Sequence, residues 1–257
     1  LTSASRTALV TGAASGIGLA IASGLRAAGL RVIGVDLRSA EIAADLGSQA
    51  GRTEMAAQAE ALSGSRLDAV FACAGILGGG PNTLSVNYFG AVATLLLLRP
   101  LLEVSPAPRA VVIGSVAGYN KPDEPLIAAC LAGDEMQARA MAAGPDELNI
   151  YSAAKTGLAR FCRAQAIRPE WAERGILLNV VAPGLVQTGL NRETFTDPKR
   201  RAAVAAMMPC PLRRHAQPEE IASLALYLGS PENSFVTGQV IYADGGQEAL
   251  QRGAEMI

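Results

Sequence analysis

Short uninterrupted apolar runs alternate along the chain with longer stretches in which apolar positions recur three and four residues apart. The runs at 7–11, 31–36, 67–73, 109–115, 176–181 and 239–242 predict strands buried on both faces. The stretches at 16–28, 48–62, 82–103, 151–174 and 218–228 predict helices between them. Doubly buried strands alternating with helices imply an α/β fold, a doubly wound parallel sheet of the Rossmann type. No repeat or low-complexity linker divides residues 1–257, so a single domain is expected.

Two places break the rhythm. Only eight residues separate Asp36 from Asp45, too few for a helical crossover of about a dozen. Either a helix is missing there, or 42–46 is a short strand reached by a loop. The second break is 118–149, punctuated by Pro122, Pro125, Gly133, Gly144 and Pro145. A structureless loop of that length is uncommon, so a small helical insertion is expected, with helices at 125–131 and 134–143.

Composition narrows the function classes. Lys plus Arg number 22 and Asp plus Glu 23, for a net charge of −1, and half of the residues are hydrophobic. This supplies a large core and no basic field for nucleic acid or an anionic membrane. The longest apolar run, 90–98, stops at Arg99-Pro100, short of the ~18 residues of a membrane span. The start is polar, without a signal-peptide core, and lacks Met, as expected of a trimmed or processed end. Cys73, Cys130, Cys162 and Cys210 form no Cys-x-x-Cys pair and read as buried small hydrophobes of a reduced, cytoplasmic protein. The one histidine, His215, lies in a Pro- and Arg-rich segment, and no Gly-x-Ser-x-Gly turn accompanies it. Zinc sites and Ser-His-Asp hydrolysis therefore lack their parts.

The chemistry that remains is at two places. Thr11-Gly12-Ala13-Ala14-Ser15-Gly16-Ile17-Gly18 joins the first strand to the first helix. Glycines there permit a tight turn and close backbone approach to a pyrophosphate, which the helix N-terminus attracts. Asp36 ends the second strand 18 residues after Gly18, where a carboxylate accepts from the adenosine ribose and repels a 2′-phosphate. NAD(H) is thus favoured over NADP(H), although Arg38 could pair with a phosphate. Tyr151 and Lys155 share a helix face. A cation beside a phenol favours phenolate and draws the tyrosine pKa towards neutrality, where proton transfer is efficient.

Taken together with Asp45-Leu46, Ala74-Gly75, Asn87, Ser115, Asn179, Pro183-Gly184, Thr188 and Asp244-Gly245-Gly246, these motifs resemble the short-chain dehydrogenase/reductase family over the whole chain. The resemblance implies an oxidoreductase interconverting a secondary alcohol and a ketone with NAD. It implies that Ser115 orients the substrate oxygen, Tyr151 exchanges its proton, Lys155 holds the nicotinamide ribose and lowers the tyrosine pKa, and Asn87 anchors a relay water. Gly12, Ser15, Gly16, Ile17, Gly18, Asp36, Asp45, Leu46, Ala74 and Gly75 would face the cofactor. Pro183, Gly184 and Thr188 would lie along the nicotinamide, with backbone near Val186 holding its carboxamide.

Three departures stand out. Cys73 replaces the usual Asn before Ala-Gly, Ser115 and Tyr151 lie 36 residues apart, and the crossover after Asp36 is short. In these the chain resembles a bacterial branch of 3α-hydroxysteroid dehydrogenase/carbonyl reductases. That resemblance implies a small hydrophobic ketone or alcohol as substrate, steroid-like, terpenoid or aromatic. Its pocket is expected between residues 120–141 and a substrate loop at 185–215. Tyr119, Leu185, Leu190, Phe195, Met207 and Met208 would make it apolar, with Arg192, Arg213 and Arg214 at the rim. Leu126, Ile127, Leu131, Met136 and Met141 give the insertion an apolar surface, expected to cover part of the pocket and to order on binding. A homodimer or homotetramer is implied by the family, with the insertion blocking the tetramer. Two other classes stay open, a dinucleotide-binding sensor or scaffold without turnover and an NAD-retaining epimerase or dehydratase.

Overall fold

The computed structural model describes residues 6–119, 123–144 and 146–253. Expectations resting on Asn120, Pro122, Pro145 and the Tyr119 side chain lie outside the described residues. Seven strands, β1 (Thr7–Thr11), β2 (Arg31–Asp36), β3 (Ile42–Ala43), β4 (Ala69–Ala72), β5 (Arg109–Ile113), β6 (Leu177–Pro183) and β7 (Val240–Ala243), form one sheet in the order β3-β2-β1-β4-β5-β6-β7. Every pairing is parallel. All residues of β1, β4 and β5 are buried, as uninterrupted apolar runs require. β4 and β5 end before Cys73 and Ser115, which leaves both residues at the carboxyl edge of the sheet.

The short crossover is a loop to a two-residue edge strand, with Val35 opposite Ile42 and Asp36 opposite Ala43. Glu41 makes the hop possible. Its carboxylate accepts from the Gly34 amide at 2.8 Å, where a ladder partner would stand, and pairs with exposed Arg26. A Cβ on Gly34 would sit 2.7 Å from that carboxylate.

The helices are α1 (Gly16–Ala27), α2 (Gln49–Ser63), α3 (Pro81–Leu84), α4 (Ala91–Leu102), α5 (Glu124–Leu131), α6 (Glu135–Met141), α7 (Glu147–Ala166), α8 (Pro169–Ala172), α9 (Arg192–Thr196), α10 (Pro198–Met207), α11 (Pro218–Leu228) and α12 (Gln247–Arg252). Residues of α1 and α11 pack with Val10, Phe71 and Val111 on one face of the sheet. Those of α2, α4, α5 and α7 pack with Leu9, Val70 and Val112 on the other.

The expected helix over 82–103 is interrupted by a π-turn, Ser85–Gly90, between α3 and α4. From Pro81 to Leu102 the 22 residues are long and apolar enough to cross a membrane, but 61% of the apolar 18-residue window within them is buried inside the protein. Counting an unbroken apolar run had missed this, because single polar residues divide it. The expected helix over 151–174 starts a turn earlier, where the Asp146 side chain accepts from the Asn149 amide, and ends at Ala166. α9, α10 and α12 were not anticipated. α10 buries no residue and so carries no apolar period, although Asp197 before Pro198 is a helix-start signal.

The insertion is helical as expected. Asp123 and Asp134 cap α5 and α6 by accepting from Leu126 and Gln137. Leu126 and Ile127 are buried in the core, whereas Leu131, Met136 and Met141 face outward. Cys130 and Cys162 are buried as expected, but Cys73 and Cys210 are half-exposed. Ile127→Ala should therefore cost about 2–5 kcal/mol in urea unfolding, and Met136→Ala, 83% exposed, no more than about 0.5 kcal/mol. Equal small effects would show that α5 is not part of the core.

Candidate active site

The order of the strands reverses between β1 and β4, and a cleft opens there at the carboxyl edge of the sheet. This is the position at which doubly wound sheets hold ligands. Of the eighteen residues expected to act in catalysis or to contact the cofactor, seventeen line this one cleft, and Asn87 does not.

Gly12, Ser15, Gly16, Ile17 and Gly18 form one wall. Gly12 and Gly16 take positive φ of 68° and 53°. A Cβ on Gly18 would meet the Gly12 carbonyl oxygen at 2.2 Å, so the turn closes only with glycine. Ser15 occupies the N-cap of α1, yet its side chain makes no capping bond. The first-turn amides thus remain available to an anion. Asp36 stands at the end of β2 with its carboxylate fixed by the amides of Ala14 (3.0 Å) and Leu37 (2.8 Å). Asp45 and Leu46 line the same end; Asp45 accepts from the Gly47 amide at 2.8 Å. Arg38 is exposed and is not among the lining residues. An uncapped helix start and a pinned carboxylate along one groove fit a dinucleotide.

At the other end, Lys155 is buried and donates from Nζ to the Ile113 carbonyl at 2.8 Å. That ammonium lies 5.9 Å from the Tyr151 ring centre. Burial brings its pKa down to about 8. Burial also raises the Tyr151 pKa, and only a hydrogen bond from the Ser115 hydroxyl opposes this. The expected depression of the phenol by Lys155 is therefore not seen: the lysine charge is aimed at a carbonyl, and desolvation is the larger effect. Ser115 Oγ also accepts from the Ala117 amide at 3.1 Å, which fixes the hydroxyl beside the phenol.

Asn87 sits in the π-turn, wholly buried. Its amide group accepts from the Ile76 N–H and donates to the Ile76 carbonyl, each at 2.8 Å. The side chain is thus committed to holding the Ala74–Ile76 wall of the cleft. Pro183 ends β6 and Gly184 follows it; a Cβ on Gly184 would lie 2.9 Å from Asp244 Cα. The Val186 carbonyl accepts from the Thr188 amide and from Asn191 Nδ2. Thr188 begins a 3₁₀ turn without capping it, so its hydroxyl is not spent on the helix start.

Comparison with known proteins agrees with this geometry. Residues 12–248 match a family model described as enoyl-(acyl carrier protein) reductase. The 3-alpha-hydroxysteroid dehydrogenase/carbonyl reductase of Comamonas testosteroni is 38% identical over 255 residues, covering 95% of this chain and 97% of the relative. The chain belongs to the short-chain dehydrogenase/reductase family. Among solved structures, the 3-alpha-hydroxysteroid dehydrogenase of Pseudomonas sp. B-0831, complexed with NADH, superposes with a TM-score of 0.90 at 36% identity, covering 96% of this chain and 98% of that one. The RhlG/NADP complex of Pseudomonas aeruginosa gives a TM-score of 0.76 at 30% identity, covering 96% of this chain and 98% of that one. As a short-chain dehydrogenase/reductase the protein is an oxidoreductase that uses a nicotinamide dinucleotide and a small-molecule substrate.

The expected substrate residues do not gather in one pocket. Leu190 lines the dinucleotide cleft; Leu185, Met208 and Arg214 line a second cavity with Cys210 and His215. Arg192 and Phe195 border a third depression, and Phe195 packs edge-on against the His215 ring at 5.3 Å. Met207 is exposed, Arg213 takes a positive φ of 55°, and Arg214 is paired with Glu220. Among the described residues, none of the insertion lines the cleft. The apolar face of α5 is spent on α7 and the core instead. Sequence reading missed Leu37, Ile76, Asn82, Val86 and Asn191 in the lining; adjacency to a motif is the signal for Leu37, Ile76 and Val86, and Asn82 and Asn191 carry none.

The Lys155 shift has a measurable consequence. Its folded pKa of about 8 lies below the unfolded value of 10.5. Between these values the unfolded chain binds more protons, so this group's contribution to stability rises with pH across that window and is constant outside it. Wild type should gain stability relative to Lys155→Met between pH 8 and 10.5 in denaturant titrations. A constant difference would contradict the buried ammonium.

Proposed function

We propose that the protein is an NAD(H)-dependent oxidoreductase that interconverts a secondary alcohol and a ketone on a hydrophobic substrate, steroid-like, terpenoid or aromatic. The observation that carries the cofactor preference is Asp36. Its carboxylate is held by two amides at the end of the groove, with no basic residue inside the glycine loop to offset it. A 2′-phosphate placed there would meet a fixed negative charge. The NADH complex of the Pseudomonas sp. B-0831 relative supports the same preference. The names of that relative and of the Comamonas protein support a hydroxysteroid or carbonyl substrate.

The dinucleotide, when bound, supplies or takes up hydride. The first-turn amides of α1 and the Gly12–Gly18 backbone would hold its phosphates, Asp36 its adenosine ribose and Lys155 its nicotinamide ribose. Pro183, Gly184 and Thr188 would border the nicotinamide. The Val186 amide is the group that would hold the carboxamide, since the Val186 carbonyl already has two donors. Ser115 and Tyr151 converge on the substrate oxygen, where charge develops in the transition state. Buried Tyr151 is a neutral phenol near pH 7, so it gives its proton in ketone reduction and must first lose it for alcohol oxidation. Ser115 stabilises the phenolate that results. Asn87 keeps the Ile76 wall in place, with the relay water as a further role. A cytoplasmic homodimer or homotetramer belongs to the same reading.

Wild type should reduce an apolar cyclic ketone with NADH in preference to NADPH, followed by absorbance. Tyr151→Phe should lower kcat by about 10²–10⁴-fold while NADH binding, followed by fluorescence, is retained. A preference for NADPH would overturn the Asp36 assignment, and normal turnover in Tyr151→Phe would overturn the mechanism.

A further inference from the structure

Arg52 on α2 lies outside the cleft, yet it is the most heavily engaged cation on that side of the sheet. Its side chain is only 8% exposed. Nε donates to the Leu46 carbonyl at 2.7 Å, and Nη2 donates to the carbonyls of Ser85 (2.8 Å) and Gly47 (3.4 Å). The outer edge of the guanidinium meets both carboxylate oxygens of Glu135, at 2.6 and 2.9 Å. Glu135 opens α6, so the counter-charge comes from the insertion. Arg139, one turn later, donates to the Ser85 hydroxyl.

These contacts converge on one wall. Asp45, Leu46, Asn82 and Val86 all line the cleft at its Asp36 end. Gly47 is wedged between them: a Cβ there would lie 3.0 Å from Asp45 Oδ1 and Asn82 Oδ1 and 3.2 Å from Val86 Cγ2. Arg52 grips both halves of this packing from behind, the 46–47 loop and the start of the π-turn. A buried ion pair adds little net stability compared with apolar residues of equal volume, but it fixes an arrangement through directed bonds. A planar guanidinium is suited to reaching several carbonyls and a carboxylate at once.

We propose that Arg52 and Glu135 are a positioning pair that sets affinity for the adenosine half of the dinucleotide, so that the insertion serves the cofactor site. This rests on reading the Asp36–Leu46 end of the cleft as the adenosine end. Removing the Glu135 charge frees the guanidinium, and the 45–47 loop then visits its binding-competent arrangement for only part of the time. Apparent affinity falls by that fraction.

The test compares NADH with reduced nicotinamide mononucleotide, which lacks the adenosine half, in equilibrium binding to the full chain. Glu135→Gln should raise the Kd for NADH about tenfold and leave that for the mononucleotide within about twofold, with kcat at saturating NADH unchanged. Arg52→Lys should not rescue, because an ammonium cannot reproduce the fork. The double variant Arg52→Met/Glu135→Leu, which replaces the pair by apolar groups, should keep its Tm and show the same selective loss. NADH binding unchanged in both Glu135 variants, or an equal loss of both ligands, would overturn the proposal. Asp36→Ala separates the two levels. If its loss is selective for NADH while that of the Glu135 variants is not, only the positioning role fails. If Asp36→Ala weakens both ligands equally, the assignment of the adenosine end fails, and the proposal with it.

Discussion

The hydroxyl of Thr11 accepts the backbone amides of both Cys73 and Ala74, at 2.9 and 3.0 Å, and so ties the ends of β1 and β4 together where the sheet reverses. Everything on the cleft floor depends on that spacing. A Cβ on Gly12 would already touch Ala74 Cα at 3.0 Å, so the glycine loop leaves β1 directly against the Ala74–Gly75 turn. The Ile76 backbone beyond that turn is held by Asn87. Thr11 bonds to the main chain of residue 73, so the thiol of Cys73 stands where the family usually has an amide without loosening the strand ends.

The parallel sheet and the residues of the cleft are legible because parallel strands buried on both faces leave an unmistakable apolar run, and because glycine, Asp36 and the Tyr151–Lys155 spacing each answer a specific demand of a dinucleotide site; the strand order is not, since apolar runs do not say which strands are neighbours. Less legible was anything set by contacts distant in the chain. The Asp36–Asp45 gap became interpretable only once Glu41 was seen to stand in for a strand partner of Gly34. The π-turn is invisible in periodicity, since one extra residue merely shifts the apolar stripe. α10 carries no apolar stripe at all. The insertion illustrates the same limit on local reading: the apolar residues of α5 and α6 could face the body, a partner or a substrate, and only the fold shows that Leu126 and Ile127 face the body.

The electrostatics of the Tyr151–Lys155 end of the cleft differ from what residue spacing suggests. Tyr151 and Lys155 do share a helix face, but helical proximity alone does not determine a pKa. Burial acts on both in the direction of neutrality, raising the phenol and lowering the ammonium. The Ile113 carbonyl orients the ammonium, and Ser115 is the group that favours phenolate.

The central claim is that one dinucleotide lies along this cleft, from Asp36 across the glycine loop to Tyr151. Amide hydrogen exchange with and without saturating NADH tests it directly, because ligand contact slows the opening of the segments it touches. Slower exchange is predicted at 12–18, 36–37, 74–76 and 184–190, with no change around the second cavity at 208–216. Protection confined to 208–216, with the glycine loop unaffected, would contradict the account.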